Sequence, residues 1–536
     1  MSTESPATPP PASAPKQHSS QPLAAALARI DGVPMHVLVA MCLGITAIAA
    51  IVFSFVGVFT YNGFGMLLAL VVALAASLLT NWLFAKLART APHQVSAVIT
   101  GYLIFFLCWP GGDALSLLTI TAVAFLASGS KYLIVWRKGI IVNAAALGAV
   151  VVGFFGAVPG SGIATELWWV ASLPLTPFIV VSALLIWYRT RTFSTGVLFV
   201  AVAGLGLTAI LLAFGLPVDD ALRTAFITSP ALFLGAFMLT EPLTLPPRKP
   251  QRLLVAVVVA VLLILPTLIS LLGAHPAIGF VTLSPALALI IGNLVAFFVG
   301  KNRSIQLTLV ERRTVSPHIV ELEFTAKPAV EHRAGQYLEL TIPHLGADQK
   351  GTRRVFSIAS APGDETVTIG VRIGDKPSSF KQELIALEPG DTIRATRHGG
   401  DFTPKSHSES RLYLAAGIGI TPFLSHLAEA RKQGGALDST LVLLLRAGEP
   451  VPFATQLAAS GVTGIVIAPT APEVLPAGWT YAGSERLDAD RLRALVPDVR
   501  ERVVYVSGAP RTVSTLAAAS RKAGARRVKT DAFAGY

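Results

Sequence analysis

An arginine, an aromatic ring and a serine lie close together in the stretch GTRRVFSIAS, at Arg354, Phe356 and Ser357. The pattern predicts a strand, and alternate side chains of a strand share a face. Arg354 and Phe356 would therefore point the same way, with Val355 between them on the other face. Such a pair can offer a guanidinium to a pyrophosphate and an aromatic face to a flat ring. An ordinary exposed strand shows the same pattern, so this strand alone does not specify a cofactor site.

A glycine-rich turn lies further along, where an apolar strand meets a helix in AAGIGITP. Gly417 and Gly419 would let the backbone approach a phosphate, and a helix N-terminus near Thr421 and Pro422 favours negative charge. A tight strand–helix turn needs glycines in any case, so this motif alone is weakly specific. After the Arg-x-aromatic-Ser strand, it favours a phosphate-containing cofactor.

The composition is that of a membrane protein joined to a soluble one. Of the 536 residues, 53% are hydrophobic and only 14% are charged, and the apolar residues concentrate before about residue 300. Both cysteines, Cys42 and Cys108, lie in apolar runs, which excludes a cysteine-ligated iron–sulfur cluster, a zinc finger and a disulfide framework. Paired haems need about four axial histidines, and this part has only His36, His93 and His275, all near segment ends. We therefore expect no metal centre and no haem.

Residues 1–30, rich in Pro, Ser and Ala, are predicted to form a disordered cytoplasmic tail, and residues 31–301 a transmembrane domain. We count about ten apolar segments, roughly 35–58, 63–87, 95–109, 114–129, 140–158, 167–188, 194–215, 226–240, 253–273 and 277–300. About twenty apolar residues cross a bilayer core, so the third, fourth and eighth segments are the short ones. The remainder of the chain, after residue 301, has the composition of a soluble protein.

The loop charges predict the orientation of the segments. Basic residues gather in alternate connections, at Lys86, Arg89, Lys131, Arg137, Lys138, Arg189, Arg191, Arg248, Lys249, Arg252, Lys301 and Arg303. The other connections carry mainly acidic groups, at Asp113, Glu166, Asp219 and Asp220, with Arg223 as the positive charge. By the positive-inside rule, both termini are cytoplasmic and the protein is a multi-pass protein of the cell (inner) membrane. Much of the net charge of +12 is explained this way, without nucleic acid as a partner.

Two connections on the predicted cytoplasmic side combine polar and apolar residues. Asn143 stands at a predicted helix start in SKYLIVWRKGIIVNAAALG, and Glu241 with Pro242 would break a helix near the membrane surface in GAFMLTEPLTLPPRK. A helix cap and a turn would account for both motifs. Ionisable groups at membrane helix ends also often mark a function, and both interpretations stay open here.

These stretches resemble the membrane subunits of the family that holds the B subunit of sodium-translocating NADH:quinone reductase and the D subunit of the Rnf complex. The resemblance rests on the basic loop and asparagine helix from Lys138 to Ala145, and on the acidic-Pro-x-Thr turn from Glu241 to Thr244. It implies a ten-helix fold that holds FMN or riboflavin near Asn143, Thr240, Glu241 and Thr244. The chain lacks the family's Ser-Gly-Ala-Thr run for covalent FMN, so a non-covalent flavin is the expectation.

The C-terminal half contains two successive patterns of apolar and polar residues. Up to about residue 406, stretches such as VELEFTA and TVTIGVRI alternate apolar with polar residues, which predicts an antiparallel β-barrel over residues 302–406. From residue 407 to 536, continuous apolar strands such as VVYVSGA alternate with Ala-rich helices, which predicts an α/β domain with a parallel sheet. The expected fold class is thus a multi-pass helical membrane domain followed by these two domains.

The order of these motifs resembles the ferredoxin–NADP reductase superfamily. RVFS is similar to its flavin motif, which implies FAD bound by Arg354, Val355, Phe356 and Ser357. KPSSFKQEL is similar to its second phosphate loop, which implies Ser378 and Ser379 at a helix start in the cofactor site. Arg372, in the preceding strand, is also an expected cofactor-binding residue.

The same resemblance implies a nicotinamide nucleotide on the α/β domain. Gly417, Gly419, Thr421 and Pro422 would cradle it. SGAP stands where the family often has Cys-Gly-x-Pro, which adds Ser507, Gly508 and Pro510, with serine in place of cysteine. The implied catalytic residues are Ser357, Ser507 and the terminal aromatic Tyr536, which can cover a flavin. Arg446 and Arg511 would suit a 2′-phosphate and Glu449 a ribose hydroxyl, so NADH and NADPH both stay open.

These observations predict a membrane-bound, NAD(P)H-oxidising flavoprotein. Cytoplasmic NAD(P)H would give electrons to FAD, from where they would pass to a flavin in the membrane domain and on to an extracytoplasmic flavoprotein or a quinone. The alternative is a redox-sensing or redox-driven ion transporter with a regulatory reductase-like domain. The complete flavin motif favours the first interpretation.

Overall fold

A computed structural model describes residues 30, 33–90, 92–136, 139–156, 158, 160–274, 277–278, 281–300, 304–344, 346–348, 351–406, 408–434 and 438–533. Apolar helices make up most of the part before residue 301. In chain order they are α1 (Met35–Phe55), α2 (Gly63–Leu87), α3 (Gln94–Leu107), α4 (Ala114–Leu133), α5 (Ala144–Gly156), α6 (Thr176–Thr190), α7 (Phe193–Ala213), α8 (Val218–Arg223), α9 (Ala231–Phe233), α10 (Lys249–Leu271) and α11 (Pro285–Gly300). Two short hairpins lie among them, β1–β2 (Val135–Trp136 and Gly139–Ile140) and β3–β4 (Ala277–Ile278 and Val281–Thr282).

Within the described residues, six helical segments are long and apolar enough to cross a membrane. They are α1, α2, α4, α7, α10 and the composite segment Val218–Met238. Four shorter apolar helices, α3, α5, α6 and α11, correspond to the remaining expected segments. Large apolar side chains are exposed on the outer faces of the long helices, for example Phe64 on α2 and Leu205 on α7. Membrane association is therefore suggested, and the count of ten spans stays a prediction.

The lengths correct the sequence-based estimate of which segments are short. The expected fourth and eighth segments are long (20 and 21 residues), whereas the fifth, sixth and tenth form short helices. The sixth shows why, because Glu166 and Trp168 adopt positive φ angles of 59° and 49° and the helix begins only at Thr176. An apolar run indicates which residues are buried or face lipid. It does not indicate where the backbone turns, so it does not fix the length of the helix.

The eighth segment is irregular. Between α8 and α9 the chain forms a π-helical turn at Thr224–Thr228, and after α9 it forms another at Leu234–Met238. π-helical turns of this kind often occur at functional sites. The second turn ends at Met238, shortly before the Glu241–Pro242 break that the sequence predicts.

The C-terminal half begins with a six-stranded antiparallel sheet. Its strands are β5 (Ile305–Ser316), β6 (Ile319–Lys327), β7 (Tyr337–Thr341), β8 (Arg353–Ser357), β9 (Thr366–Arg372) and β10 (Thr392–Gly399), with α12 (Ser379–Ala386) between the last two. Their order in the sheet is β8-β7-β10-β5-β6-β9, and an isolated bridge between Ile358 and Ile369 joins the two edges. Closure as a full barrel remains a prediction.

A six-stranded parallel sheet comes next. Its elements are β11 (Arg411–Ala416), α13 (Thr421–Lys432), β12 (Ser439–Leu444), α14 (Ala454–Ser460), β13 (Thr463–Ile467), β14 (Trp479–Tyr481), α15 (Ala489–Leu495), β15 (Val503–Gly508), α16 (Pro510–Lys522) and β16 (Arg527–Ala532). The strand order is β14-β13-β12-β11-β15-β16, and buried apolar residues fill both faces. The order changes direction next to β11, and open α/β sheets bind ligands at such a switch point.

Candidate functional site

The side chain of Arg354 is buried on β8 and held from several sides. Its guanidinium donates to the carbonyl of Gly351 over 2.9 Å and pairs with the Asp348 carboxylate over 3.1 Å. It also lies over the ring of Phe380, 5.3 Å from the ring centre. A guanidinium fixed in this way is preorganised to receive a phosphate oxygen.

The predicted sharing of a strand face is confirmed. Phe356 stacks on Phe380 with ring centres 6.0 Å apart, so it lies on the same side as Arg354. Val355, between them, is about one-third exposed, on the other face. An aromatic surface and a cation are therefore presented together, as the sequence predicts.

The second predicted phosphate loop meets this strand. Ser378 caps α12 by accepting a hydrogen bond from the amide of Lys381 over 3.4 Å, so both predicted serines do stand at a helix start. The hydroxyl of Ser379 accepts the amide of Asp348 over 3.0 Å. Asp348, which the sequence analysis missed, thus links Arg354 to α12. A short acidic residue in a glycine-flanked loop gives no sequence signal for this role.

Ser357, at the end of β8, contacts the last strand of the chain. Its hydroxyl lies near the carboxylate of Asp531 on β16, and Asp531 is in register with Ser507 on β15. Burial raises the pKa of Asp531 to about 6, against the opposing effects of the Arg191 charge and of the nearby Ser357 hydroxyl. Two of the three predicted catalytic residues, Ser357 and Ser507, therefore lie around one carboxyl group that the sequence analysis did not single out.

The predicted glycine turn lies at the C-terminal edge of the parallel sheet. Gly417 has a φ of 53°, which favours glycine, and it opens a 3₁₀ turn that leads into α13 at Thr421 and Pro422. A Cβ on Gly419 would overlap the carbonyl oxygen of Ser507, so no side chain fits there. The turn packs directly against the end of β15.

The SGAP segment completes this edge. Ser507 is fully buried, and its hydroxyl has no hydrogen-bond partner among the described residues. Gly508 has a φ of 147°, and Pro510 is the first residue of α16. A buried polar atom without a partner costs free energy. The arrangement therefore fits a ligand that supplies the missing partner.

A cleft separates the two sheets beside this edge. Arg372, at the end of β9, pairs with Glu449 across it over 2.5 Å. Burial alone would raise the pKa of Glu449. The pKa is nevertheless below its usual value, because Glu449 accepts hydrogen bonds from Arg372 and from the Arg446 amide and lies near both positive charges. The guanidinium of Arg372 also lies 3.5 Å from the point where a Gly417 Cβ would stand. Arg372 and Gly417 thus face one cleft.

A second candidate site lies among the apolar helices before residue 301. A cavity of about 60 Å³ is lined by Asn143, Thr240 and Glu241, three of the four predicted membrane residues. The amide of Asn143 donates to the Glu241 carboxylate over 2.9 Å, and its backbone N–H donates to the Asn293 side chain over 2.8 Å. Asn143 also caps α5, as predicted, through the Ala146 amide over 3.1 Å.

The other polar residues near this cavity have separate roles. Thr240 donates to the helix carbonyls of Gly235 and Ala236, and Thr244 donates to the carbonyl of Glu241 over 3.3 Å, which closes the predicted turn. Lys131, expected as a loop anchor, instead ends α4 inside the cavity wall. Its ammonium donates to the Thr100 hydroxyl over 2.6 Å.

The membrane cavity and the flavin-motif strand approach each other through two histidines. His36 lines the cavity and contacts His93 edge to face, with ring centres 5.1 Å apart. A Cβ on Gly351 would lie 3.3 Å from the His93 ring, and Gly351 is the residue that accepts the Arg354 hydrogen bond. Few residues therefore separate the two candidate sites. Several predicted residues lie outside the described ones, namely Tyr536, Arg137, Lys138, His275, Lys301 and Arg303.

Comparison with known proteins gives partial matches, and no protein-family profile matches the chain. The chain is 35% identical over 157 residues to ferredoxin–NADP reductase B of Sorangium cellulosum, a match that covers 28% of this chain and 62% of the relative. It is 36% identical over 132 residues to the ferredoxin reductase component of 3-ketosteroid-9-alpha-monooxygenase from Rhodococcus rhodochrous, covering 24% and 36% of the two chains. NADH oxidoreductase HCR of Escherichia coli is 28% identical over 195 residues, covering 36% and 56%.

The chain thus spans less than two thirds of the length of these curated relatives. Among solved structures, a ferredoxin NADP+ reductase from Neisseria gonorrhoeae has 18% identity and a TM-score of 0.36, over 44% of this chain and 99% of that one. The flavohem-like FAD/NAD binding domain of nitric oxide dioxygenase from Vibrio cholerae has 17% identity and a TM-score of 0.36, over 42% and 98%. In its sequence, the C-terminal part of the chain is therefore similar to ferredoxin–NADP reductases and to related reductase components.

Proposed function

We propose that the protein oxidises NAD(P)H on its reductase-like domain and passes the electrons into its membrane domain. FAD, when bound, supplies the chemistry by accepting a hydride from the nicotinamide and releasing electrons one at a time. Arg354 holds the FAD pyrophosphate, with α12 and its capping Ser378 and Ser379 on the same side. Phe356 packs against the flat ring system, and Val355 contributes its backbone.

The second half of the site orients the nicotinamide nucleotide. The turn at Gly417 and Gly419 lets the backbone approach the phosphates, and the N-terminus of α13 at Thr421 and Pro422 favours their charge. Gly508 and Pro510 form the opposite wall, and Arg372 faces the same cleft. The Ser507 hydroxyl, which is buried without a partner among the described residues, would bond to the bound nucleotide or flavin.

Ser357 and Asp531 stand where the two halves meet. The Asp531 carboxyl group, whose pKa of about 6 lies near neutrality, could hold a proton beside Ser357 when FAD is bound. Tyr536, five residues further on, is proposed to cover the ring. Because these groups bind and orient, they act mainly through positioning.

The membrane half is proposed to receive the electrons in a non-covalent flavin, FMN or riboflavin. Its site would be the cavity with Asn143, Thr240 and Glu241, next to Thr244. The observation that carries this proposal is the Asn143–Glu241 bond in a cavity separated from the flavin strand by only two histidine rings. Burying a carboxylate costs free energy unless it is hydrogen-bonded, and an ionisable group between membrane helices is by default a hypothesis of function.

The proposal extends to location and acceptor. With the ten expected spans, the protein lies in the cell (inner) membrane with both termini in the cytoplasm. Electrons would leave to an extracytoplasmic flavoprotein or to a quinone. The expected resemblance to the membrane subunits of sodium-translocating NADH:quinone reductase and the Rnf complex belongs to this part of the proposal.

The test uses the full-length protein in lipid nanodiscs with NADH and NADPH as donors. Ferricyanide is expected to accept electrons from the reductase-like domain alone, whereas ubiquinone-1 is expected to require the membrane cavity. We expect both activities in the native protein, and only the ferricyanide activity in Glu241→Gln. No NAD(P)H oxidation with either acceptor would contradict the proposal, and so would equal quinone reduction by Glu241→Gln.

A further inference from the structure

One arginine of the reductase-like domain contacts the turn that carries Glu241. Arg397, on β10, donates to the backbone carbonyls of Pro242 over 2.7 Å and Leu245 over 2.8 Å, and it also donates to that of Leu243. A guanidinium has five donors in a rigid fork, so it can hold several carbonyls in a fixed arrangement. Arg397 therefore holds the backbone of this turn through three hydrogen bonds.

The contact continues on both sides of Arg397. Asp401 accepts the backbone N–H of Lys249 over 2.8 Å and faces Arg252 over 3.7 Å. A Cβ on Gly399 would lie 2.7 Å from the side chain of Pro247, so the strand end approaches the turn as closely as glycine allows. The residues of this surface come from β10 and the loop after it, and from the chain between Pro242 and Arg252.

The two ends of the contact lead to the two candidate sites. On one side, Arg397 is in register with Glu339 of β7, and Glu339 is in register with Val355 of the flavin-motif strand. On the other side, Pro242 and Leu243 line the membrane cavity beside Glu241. Arg397 therefore connects two regions. One is the strand that would hold FAD, which it reaches through the paired strands β10, β7 and β8, and the other is the turn beside the membrane cavity.

We propose that Arg397 is a positioning residue for electron transfer between the two halves. It holds the reductase-like domain at a fixed distance and orientation above the cavity, and it does not take part in FAD binding or NAD(P)H oxidation. This inference rests on the proposed function and adds the residue on which the coupling depends. Electron transfer falls steeply with distance, so a domain that is not held against the turn transfers slowly even when its own chemistry is intact.

The test compares Arg397→Ala with Arg394→Ala in nanodiscs. Arg394 is an exposed arginine on the same strand, so it is a matched control for the loss of a positive charge. Hydrogen bonds from a charged donor to buried carbonyls shift an equilibrium by about tenfold to a hundredfold. We expect Arg397→Ala to lower ubiquinone-1 reduction about tenfold or more, with FAD content and ferricyanide reduction within about twofold of the native protein. Arg397→Lys, which can restore one of the three bonds, should give an intermediate rate.

A covalent tether separates positioning from other effects of the substitution. Arg397→Ala would be combined with Asp401→Cys and Lys249→Cys and joined by a short bismaleimide, since the native Cys42 and Cys108 are buried. We expect the linked protein to regain most of its ubiquinone-1 reduction, with the same protein before linking as its control. Failure of the link to restore the rate would overturn the positioning role.

The outcomes distinguish this inference from the proposed function. If the native protein reduces ubiquinone-1 and Arg397→Ala does so equally well, the inference alone is wrong. If the native protein reduces ferricyanide but not ubiquinone-1, the proposed function fails and the inference falls with it. A loss of ferricyanide reduction in Arg397→Ala, with Arg394→Ala normal, would place Arg397 in the reductase chemistry and overturn its role as described.

Discussion

The two halves of this protein build their candidate sites in different ways. In the reductase-like half, each group of functional residues is contiguous in sequence and lies on one strand, turn or helix start. In the half with the apolar helices, helix packing brings together Asn143, Glu241 and Asn293, which come from different and distant parts of the chain. A site of the first kind depends on local backbone geometry, and a site of the second kind depends on how helices pack.

This difference predicts how each half responds to substitution. A residue that carries a local motif should remove a whole function when it changes, because nothing else in the fold supplies its role. Residues of the cavity share their hydrogen bonds with neighbours, so their loss should affect one route of electrons and leave the other. Single substitutions in each half test that contrast.

The largest effect is expected at Arg354. Arg354→Ala removes the buried guanidinium that faces Asp348 and Phe380, and with it the proposed partner of the FAD pyrophosphate. We expect bound FAD to fall below about a tenth of the native content, and NAD(P)H oxidation to fall with it for every acceptor. The measurement is flavin released by acid from purified protein, with the exposed Arg527→Ala as the control. Native FAD content in Arg354→Ala would show that the local motif does not bind the cofactor.

A selective effect is expected in the membrane cavity. Asn143→Ala removes the amide that bonds to Glu241 and also weakens the cap of α5, which costs about 1 kcal/mol. We expect quinone reduction to fall at least about tenfold, because a buried carboxylate left without its partner is strongly disfavoured. Ferricyanide reduction should not change. The control is Asp219→Asn, which changes an exposed acidic residue. If Asn143→Ala lowered quinone and ferricyanide reduction equally, the cavity would not serve a separate route of electrons.

A smaller effect on one substrate is expected at the glycine turn. A Cβ at Gly419 would overlap the Ser507 carbonyl, so Gly419→Ala must displace the end of β15, at a cost of about 1–3 kcal/mol. We expect KM for NAD(P)H to rise about tenfold with FAD content retained. Gly374→Ala is the control, since a Cβ there meets nothing within 4 Å. An unchanged KM for NAD(P)H would show that this turn does not bind the nucleotide.

The smallest effect is expected at Asp531, and it depends on pH. Burial raises the pKa of Asp531 from 3.8 to about 6 in the folded protein. The folded state therefore binds this proton more tightly than the unfolded state does. The resulting stability is fully present below pH 3.8 and is lost as the pH rises through about 6.

Asp531→Asn should remove this dependence and stabilise the protein above pH 6 by about 1–3 kcal/mol, at 1.36 kcal/mol per pKa unit. Thermal unfolding of both proteins between pH 4 and pH 8 measures the effect. If the unfolding temperatures of the two proteins changed with pH in the same way over that range, the carboxyl group would not be held in the buried position described.

The contrast also explains which features the sequence predicted. The strand at Arg354–Ser357, the helix start at Ser378, the glycine turn at Gly417 and the cap at Asn143 each arise from a few neighbouring residues, and the structure bears out their local geometry. Strand alternation and capping are rules of local backbone geometry, so a single sequence suffices to apply them.

The features that the sequence missed are long-range. Asp348, Phe380 and Asp531 reach the flavin strand from a loop, from α12 and from β16, and no local sequence pattern predicts their contacts with that strand. The charge of Lys131 at a segment end predicts a loop anchor, whereas packing turns this side chain into the cavity wall. Helix lengths are misjudged for a related reason, since apolar runs continue through irregular backbone before α6.

The central claim is that the protein holds two flavins, one in each half, with electrons passing from the first to the second. The most direct measurement is the flavin content of the full-length protein purified in detergent, by acid extraction and chromatography, with in-gel fluorescence for covalent attachment. We expect FAD together with FMN or riboflavin, no covalent flavin, and selective loss of the second flavin in Glu241→Gln. FAD alone at one per chain would contradict the claim, and it would leave the membrane cavity without the carrier proposed for it.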